Sequence, residues 1–306
     1  MNKRVIAIIQ ARTTSTRFPG KVLMPLSKWP MIIYQLNRIK KSKNIDDLIL
    51  ATSNDKSDDL LSRIVKEEGF KVFRGDLEDV LLRFNECALQ EKADIVVRLT
   101  GDNPLTDPSL IDEIIEEFFN IKVDYLSNAL DEKNLSVPDG FDIEVFNSWI
   151  LKQAVKETKL VSEREHVTPW IYKNTKRFKA KHFLHKPFRK FYRLTVDEYQ
   201  DYYLISKIVS ELHNKNINFG IDEVINLLKD NPHLAKINMQ IKRNEGYLKS
   251  IEAENKKNIG NSLNQTNSGQ ELWQRAKKII PGGNMLLSKR AEMFLPKNWP
   301  SYYSRA

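Results

Sequence analysis

Three cations are interspersed with small and hydroxyl-bearing residues directly after the first apolar run of this chain. Arg12, Arg17 and Lys21 share the segment ARTTSTRFPGK with three threonines, a serine and Gly20. Small residues let backbone N–H groups approach a ligand, hydroxyls donate hydrogen bonds, and cations neutralise negative charge. The segment is neither a Walker A loop nor a GxGxxG fingerprint. Its composition predicts an oxyanion-binding loop, and a solvated basic turn is the alternative that charge alone leaves open.

Two aspartates follow predicted elements of the chain, and the first of them could hold a divalent cation. Asp102 lies in the sequence TGDNP after an apolar run, where glycine and proline turn the chain. Asp197 follows the later sequence RLTV. Mg²⁺ takes one or two carboxylates together with phosphate oxygens and waters. Turn formation by Asp102 and helix capping by Asp197 are the structural alternatives.

A second polar group lies in the middle of the chain. Alternation along a predicted strand at residues 142–146 puts Asp142 and Glu144 on one face. Two carboxylates on a buried face are unfavourable unless they serve a ligand or a cation, although exposure at a sheet edge would also explain them. Arg164 and His166, in the sequence SEREHVTP, could bind an anion, or the histidine could make a structural hydrogen bond.

Apolar periodicity predicts the elements that position these residues. Strand-like and helix-like segments alternate in the first half, which is typical of a mostly parallel sheet with helices on both faces. Ligands of such sheets bind at the carboxyl ends of the strands. Strands are predicted at residues 5–10, 48–52, 71–73, 95–99, 142–146, 178–184 and 192–195, and helices at 30–40, 58–68, 78–90, 109–119, 149–158, 163–173, 200–213 and 222–229.

The first loop also carries a resemblance to a known family. Residues 10–21, QARTTSTRFPGK, resemble the nucleotide-binding loop of the cytidylyltransferases that activate sugars, among them Kdo, sialic-acid and spore-coat polysaccharide enzymes. The resemblance implies an α/β, Rossmann-like (GT-A-like) nucleotidyltransferase fold with three α/β/α layers over residues 1–250. It further implies a set of nucleotide-binding residues, namely Gln10, Ala11, Arg12, Ser15, Arg17, Lys21 and Arg74. For Arg74, a structural ion pair is equally consistent with the sequence.

The same resemblance implies the chemistry. Lys21, Arg17 and Asp102 would be the catalytic residues, with Mg²⁺ held by Asp102 and Asp197. The enzyme would transfer CMP from CTP to a sugar acid or a phosphorylated acceptor and release pyrophosphate, in surface polysaccharide or glycoconjugate biosynthesis. The residues expected on the acceptor side are Asp142, Glu144, Arg164 and His166. A nucleotide-sugar binding protein without catalysis and a nucleic-acid-binding protein are the alternatives.

The charge and the cysteine content limit which partners and which compartment are expected. The chain has 306 residues, with 49 Lys and Arg against 40 Asp and Glu, a net charge of +9. Residues 252–306 hold nine of the basic and four of the acidic residues, so we expect no nucleic-acid partner. No apolar run approaches the ~20 residues that span a bilayer, and we expect no membrane partner. Cys87 is the single cysteine, which with no export signal predicts a cytoplasmic protein. A homodimer is left open.

The end of the chain differs from the rest. Residues 251–268 have the polar composition of a linker. Residues 269–306 resemble the start of class III pyridoxal-phosphate aminotransferases of the glutamate-1-semialdehyde type, through LWQRA at 272–276, IPGGN at 280–284 and the pair Tyr302-Tyr303. The expectation is a natural fusion, represented here by a truncated N-terminal fragment of the aminotransferase domain. Without the catalytic lysine and cofactor-binding parts, this fragment is expected to bind no pyridoxal phosphate.

Overall fold

The computed structural model describes residues 3–187, 191–213, 218–241 and 243, together with Arg275 and Lys278. The chain divides into two compact units, Met1–Arg243 and Asn244–Ala306. The predicted linker lies outside the described residues, and so does the aminotransferase-like tail apart from Arg275 and Lys278. The domain division and the fusion therefore stay predictions from the sequence.

The first unit is an α/β fold in which strands and helices alternate. In the described ranges the strands are β1 (Val5–Gln10), β2 (Pro25–Leu26), β3 (Trp29–Pro30), β4 (Asp47–Ser53), β5 (Lys71–Gly75), β6 (Ile95–Thr100), β7 (Tyr125–Ser127), β8 (Glu144–Asn147) and β9 (Ala180–His182). The helices there are α1 (Met31–Ile39), α2 (Asp59–Glu67), α3 (Val80–Gln90), α4 (Pro108–Ile121), α5 (Trp149–Glu157), α6 (Val161–His166), α7 (Pro169–Lys173), α8 (Tyr199–His213), α9 (Ile221–Asp230) and α10 (Pro232–Ala235).

Seven strands form one sheet in the order β5-β4-β1-β6-β8-β7-β9. Neighbouring strands are parallel except where β8 pairs with β6 and with β7. The register places Ile8 of β1 opposite Ile49 of β4 and Arg98 of β6. A mostly parallel α/β sheet, as the sequence predicts, is confirmed. The two-residue strands β2 and β3 form a separate antiparallel hairpin that the sequence patterns do not predict.

Both faces of the sheet are covered, which gives the predicted three layers. Ala7 and Ile9 of β1 belong to one buried cluster with apolar residues of α1, α2, α4, α8 and α9, whereas Ile6 and Ile8 belong to another with residues of α3, α5 and α7. Alternate residues of a strand point to opposite faces, and two-sided burial explains the continuous apolar run VIAII. Cys87 packs in the second cluster, and burial raises the pKa of its thiol to about 12. None of the helices described combines the length and apolar composition needed to cross a bilayer.

Three predicted elements differ from the structure. The strand predicted at 142–146 begins only at Glu144, so Asp142 lies in the preceding loop and the two do not share a strand. The strand predicted at 192–195 is reduced to one bridge between Asp139 and Arg193. The helix predicted at 163–173 is split into α6 and α7, because Pro169 has no N–H to continue a helix and instead begins a new one.

Gly140 lets two loops approach each other at the edge of the sheet. It has a φ of +106°, and a Cβ there would lie 2.4–2.6 Å from backbone atoms of Leu194 and Thr195. On either side of this approach, Asp139 N–H donates to Tyr192 O at 3.1 Å, and Leu194 N–H donates to Asp139 O at 2.6 Å. The glycine therefore sets the position of the segment that leads to Asp197.

We expect Gly140→Ala to lower the free energy of unfolding by about 3 kcal/mol, because the new methyl group meets backbone and the left-handed conformation is disfavoured. Gly69→Ala is the matched control, since Gly69 has a φ of +80° but no atom within 4 Å of its ideal Cβ. The control should lose only about 1–2 kcal/mol. Urea denaturation measures both losses, and equal losses would contradict the close approach as the cause.

Candidate active site

The loop after β1 and the loop after β6 meet at the carboxyl edge of the parallel strands. Gly101 N–H donates to Gln10 O at 2.8 Å. A Cβ on Gly101 would lie 2.7 Å from the Ala11 Cβ, so only glycine lets the two loops come this close. This contact brings Asp102 to the residues of the first loop, at the edge where ligands of α/β sheets bind.

Lys21 is the centre of the site. It lies in a single 3₁₀ turn, Lys21–Leu23, and its residue is only 7% exposed. Its Nζ donates to Val196 O at 2.7 Å, to Asp197 Oδ1 at 2.9 Å and to Asp102 Oδ2 at 3.4 Å. The guanidinium of Arg17 lies 2.8 Å from Asp197 Oδ2. The structure thus brings together the two cations predicted as catalytic and the two carboxylates predicted to hold a metal.

The electrostatics of Asp197 follow from these contacts. Burial opposes its ionisation, but Lys21, Arg17 and Arg193 together hold the pKa of Asp197 below its usual value. Arg193, which the sequence reading did not single out, contacts Asp197 Oδ2 at 3.1 Å. The carboxylate is therefore charged at neutral pH and faces three cations. These contacts with cations argue that Asp197 does more than cap the helix that follows it.

Asp201, in the first turn of α8, caps the segment instead. Its Oδ2 accepts hydrogen bonds from the N–H groups of Asp197 and Glu198, both at 3.0 Å. It also binds Arg193 through Nε at 3.0 Å and accepts a bond from Asn238 Nδ2 at 2.8 Å. Asp201 is completely buried. The sequence shows an aspartate four residues after Asp197, and the structure gives it the capping role.

Asp142 lies in a neighbouring carboxylate pair. Arg243 Nη2 donates to Asp142 Oδ1 at 2.7 Å, and Arg243 Nε lies 3.7 Å from Asp139 Oδ1. Burial and the charge of Asp142 raise the pKa of Asp139 to about 7, against the opposing effects of Arg243 and Arg193. Burial likewise raises the pKa of Asp142, and Arg243 opposes it. In this structure Asp142 is paired within the protein, and acceptor binding by it stays a prediction.

The donor set at Lys21 fits a magnesium ion. Within the ranges described, no group of three or more His, Cys, Asp or Glu side chains could hold a metal ion. Mg²⁺ needs only one or two protein carboxylates when substrate phosphates and waters supply the other ligands. Asp102 and Asp197 meet this requirement, because one ammonium nitrogen already contacts both.

Asp58 holds the first loop in place, although no sequence motif marked it. Its Oδ1 accepts from Thr13 N–H and from Thr13 Oγ1, each at 2.8 Å. Its Oδ2 accepts from Ser53 N–H at 3.2 Å and from the Ser53 hydroxyl. Burial disfavours the charge, but these hydrogen bonds hold the pKa of Asp58 below its usual value. The loop after β1 is thereby fixed to the end of β4.

The other residues predicted to bind the nucleotide differ in their contacts and in their burial. Arg12 lies 3.7 Å from Glu78 and 4.0 Å from Glu165, so it reaches α6 from the first loop. Arg74 donates to Ser53 O and Asp55 O and pairs with Asp59 at 2.7 Å, as the structural alternative for it requires. Within the first loop, Ala11 is buried and Ser15 is half-buried. Nucleotide binding by all of them stays a prediction.

A second group of polar side chains lies on β1, β6 and β8 and at the end of α6, and we refer to it as the acceptor-side cluster: Gln10, Arg98, Glu144, His166 and Thr168. Arg98 Nη1 donates to Glu144 Oε2 at 2.8 Å, and Arg98 Nη2 donates to Gln10 Oε1 at 3.1 Å. Thr168 Oγ1 donates to Glu144 Oε1 at 3.0 Å. Burial and the charge of Arg98 lower the pKa of His166, against the opposing effect of Glu165. His166 is therefore neutral at pH 7 and can accept a hydrogen bond.

Arg164 is turned away from this cluster. Its Nε donates to Asp79 Oδ2 at 2.8 Å, and its Nη1 donates to Val155 O and Thr158 O, both at 3.1 Å. These bonds fasten α6 to α3 and α5. The contacts describe a structural role, and the predicted acceptor contact of Arg164 stays untested.

Comparisons with known proteins agree with this geometry. A family model described as Cytidylyltransferase matches residues 6–253. The spore coat polysaccharide biosynthesis protein SpsF of Bacillus subtilis is 36% identical over 239 residues, which cover 76% of this chain and 96% of that protein. A 3-deoxy-manno-octulosonate cytidylyltransferase of Geobacter sulfurreducens is 35% identical over 113 residues, which cover 36% of this chain and 44% of that protein. A cytidylyltransferase structure from Leptospira borgpetersenii aligns with a TM-score of 0.72 and 32% identity, covering 76% of this chain and 97% of the other.

The sheet topology and the gathering of a cationic loop with two aspartates at its carboxyl edge are those of a nucleotidyltransferase. The chain belongs to the cytidylyltransferase family and is an enzyme of that class. The resemblance found in the first loop is thereby confirmed.

We expect Asp58→Asn to lower the free energy of unfolding by about 2 kcal/mol at pH 7, because charged hydrogen bonds to Thr13 and Ser53 are weakened. The pKa of Asp58 is lower in the folded state than its usual value, so the charged carboxylate stabilises the fold at pH values above that usual pKa. This stabilisation is lost as the pH falls through the folded-state pKa. The difference between wild type and variant should therefore narrow below about pH 4. Denaturation at several pH values measures it.

Asp230→Asn, at the exposed end of α9, is the control for this series. It should change the free energy of unfolding by less than about 0.5 kcal/mol at every pH. A constant difference between wild type and Asp58→Asn down to pH 3 would contradict the assigned pKa of Asp58.

Proposed function

We propose that the enzyme is a Mg²⁺-dependent cytidylyltransferase that transfers CMP from CTP to a sugar acid or a phosphorylated acceptor and releases pyrophosphate. The observation that carries the proposal is the contact of the Lys21 ammonium with both Asp102 and Asp197 at the carboxyl edge of the sheet. A cation between two carboxylates, beside a loop rich in arginine and hydroxyl groups, suits a metal-bound triphosphate.

The proposed reaction is a displacement at the α-phosphorus. An acceptor oxygen, which releases its proton to solvent where it is a hydroxyl, forms the new P–O bond. The bond between the α-phosphorus and the bridging oxygen breaks, and pyrophosphate leaves with that oxygen. Positioning and charge neutralisation dominate such transfers, and the protein needs to do little covalent chemistry. When bound by Asp102 and Asp197, Mg²⁺ supplies charge neutralisation at the phosphates. Lys21 and Arg17 bind the phosphate oxygens and stabilise the charge that develops on them.

The acceptor side is proposed at the acceptor-side cluster. Glu144 and the neutral His166 can accept hydrogen bonds from sugar hydroxyls, and Arg98 can donate to an acidic group. The Geobacter relative is named for a sugar acid, and the Bacillus relative is named for polysaccharide biosynthesis. Both support a sugar acceptor for this chain and a place in the synthesis of surface polysaccharides or glycoconjugates.

A binding protein without catalysis is the second candidate. The sequence retains Lys21, Asp102 and Asp197, and the structure brings the three together, which favours catalysis. A nucleic-acid-binding protein is disfavoured, because more than half of the net positive charge belongs to residues 252–306. All but the first two of these residues lie outside the family match to residues 6–253.

The test is pyrophosphate release with each nucleoside triphosphate, Mg²⁺ and a panel of sugar acids and sugar phosphates. We expect release with CTP and at least one acceptor, and a loss of about 100-fold or more in kcat/KM for Asp102→Asn, because the proposed metal ion loses one of its two protein ligands. Asp230→Asn serves as the control and should retain wild-type turnover.

Two outcomes would contradict the proposal. No pyrophosphate from the wild type with any pair of substrates would remove the proposed activity. Unchanged turnover by Asp102→Asn would remove the proposed metal site and leave the reaction to other residues.

A further inference from the structure

Val167 has a backbone conformation that is rare for its residue type. Its φ is +71° and its ψ is −59°, between the end of α6 and the start of α7. Thr168 N–H donates to His166 O at 2.9 Å across it. Together these values define a γ-turn of the rarer, strained hand. A positive φ is unfavourable for any residue with a Cβ, and more so for a β-branched one such as valine.

The side chain of Val167 does not explain the turn. The residue is fully buried and packs in the apolar cluster with residues of α3, α5 and α7. An apolar contact of this kind is available to a valine in an ordinary helix, so packing alone does not require the strained backbone. Strain of this type persists only where the surrounding structure over-determines it, and such positions cluster at functional sites.

The surrounding structure holds the turn from both sides. Upstream, the bonds of Arg164 to Asp79 and to two backbone carbonyls fix α6. Downstream, Thr168 Oγ1 is bonded to Glu144, and Thr168 O accepts from Ile171 N–H at 2.9 Å as α7 begins. The residues between these anchors must reverse direction within a single residue, which is what the γ-turn does.

The turn also connects the two members of the acceptor-side cluster that come from this segment. Thr168 is bonded to Glu144, which is bonded to Arg98, and the Arg98 charge acts on His166. In a continuous helix, residues two positions apart do not face each other. The γ-turn instead joins His166 and Thr168 directly, through the bond of Thr168 N–H to His166 O.

We propose that Val167 is a positioning residue, whose strained γ-turn sets His166 and Thr168 for binding the acceptor and not the nucleotide. The inference rests on the proposed function only for its kinetic part. The strain itself is a property of the fold and can be measured without a substrate.

The first measurement compares the melting temperatures of Val167→Gly and Val167→Ala. At an ordinary helical position alanine is more stabilising than glycine, whereas glycine adopts a positive φ without steric conflict. We therefore expect Val167→Gly to melt at or above the temperature of Val167→Ala. Val65, equally buried in α2, provides the control pair, and there Val65→Gly should melt below Val65→Ala. If the glycine variant melts below the alanine variant at both positions, the inference of strain is overturned.

The second measurement separates positioning from a purely structural role. Glycine permits other conformations, so Val167→Gly should raise the KM for the acceptor by about tenfold or more relative to Val167→Ala, while their KM values for CTP agree. The probe is 3-deoxy-manno-octulosonate or the best acceptor of the panel. The NMR signal of the His166 ring should also differ between the two variants, which requires no acceptor.

The outcomes distinguish this inference from the proposed function. If wild type transfers nothing, the proposed function fails, while the melting order and the His166 signal still test the turn. If Val167→Gly melts above Val167→Ala but the acceptor KM and the His166 signal are the same in both variants, the positioning role is overturned. Equal rises in both KM values would likewise show a general structural role.

Discussion

The ammonium of Lys21 joins two carboxylates that lie 81 and 176 residues away along the chain. Few arrangements bring an ammonium and two carboxylates into a largely buried position, since an unpaired charge there is strongly unfavourable. The loop after β1 and the loops that carry Asp102 and Asp197 must therefore converge at this point. The same convergence gathers the groups that the proposed metal-bound triphosphate would need.

The rest of the structure serves that convergence. Gly101 and Gly140 remove the side chains that would keep the loops apart. Asp201 and Asp58 are buried carboxylates that satisfy backbone N–H groups, one on the segment of Asp197 and one on the loop after β1. Satisfied buried polar groups of this kind rigidify a site and define a single arrangement. The sheet supplies the frame, and these close contacts give the loops their positions.

Local patterns in the sequence were sufficient for the frame and for part of the site. The run VIAIIQ predicts β1 with both its ends, and the spacing in the first loop marks Lys21 and Arg17. Contacts between residues that are distant in sequence could not be predicted in the same way. Nothing local shows that Arg164 turns to Asp79, because such pairs depend on how α6 packs on α3. The break between α6 and α7 has one local signal, Pro169, whereas the γ-turn at Val167 contradicts the local preference of valine and is imposed by its surroundings.

In the reaction proposed above, a divalent cation would take the place of the Lys21 ammonium, with Asp102 and Asp197 as its ligands. The most direct measurement locates Mn²⁺ by its anomalous scattering in crystals grown with CTP. We predict one Mn²⁺ bound by both carboxylates, with the Lys21 ammonium moved from at least one of them toward the phosphates. A manganese peak that contacts neither carboxylate would show that Asp102 and Asp197 are not the metal ligands.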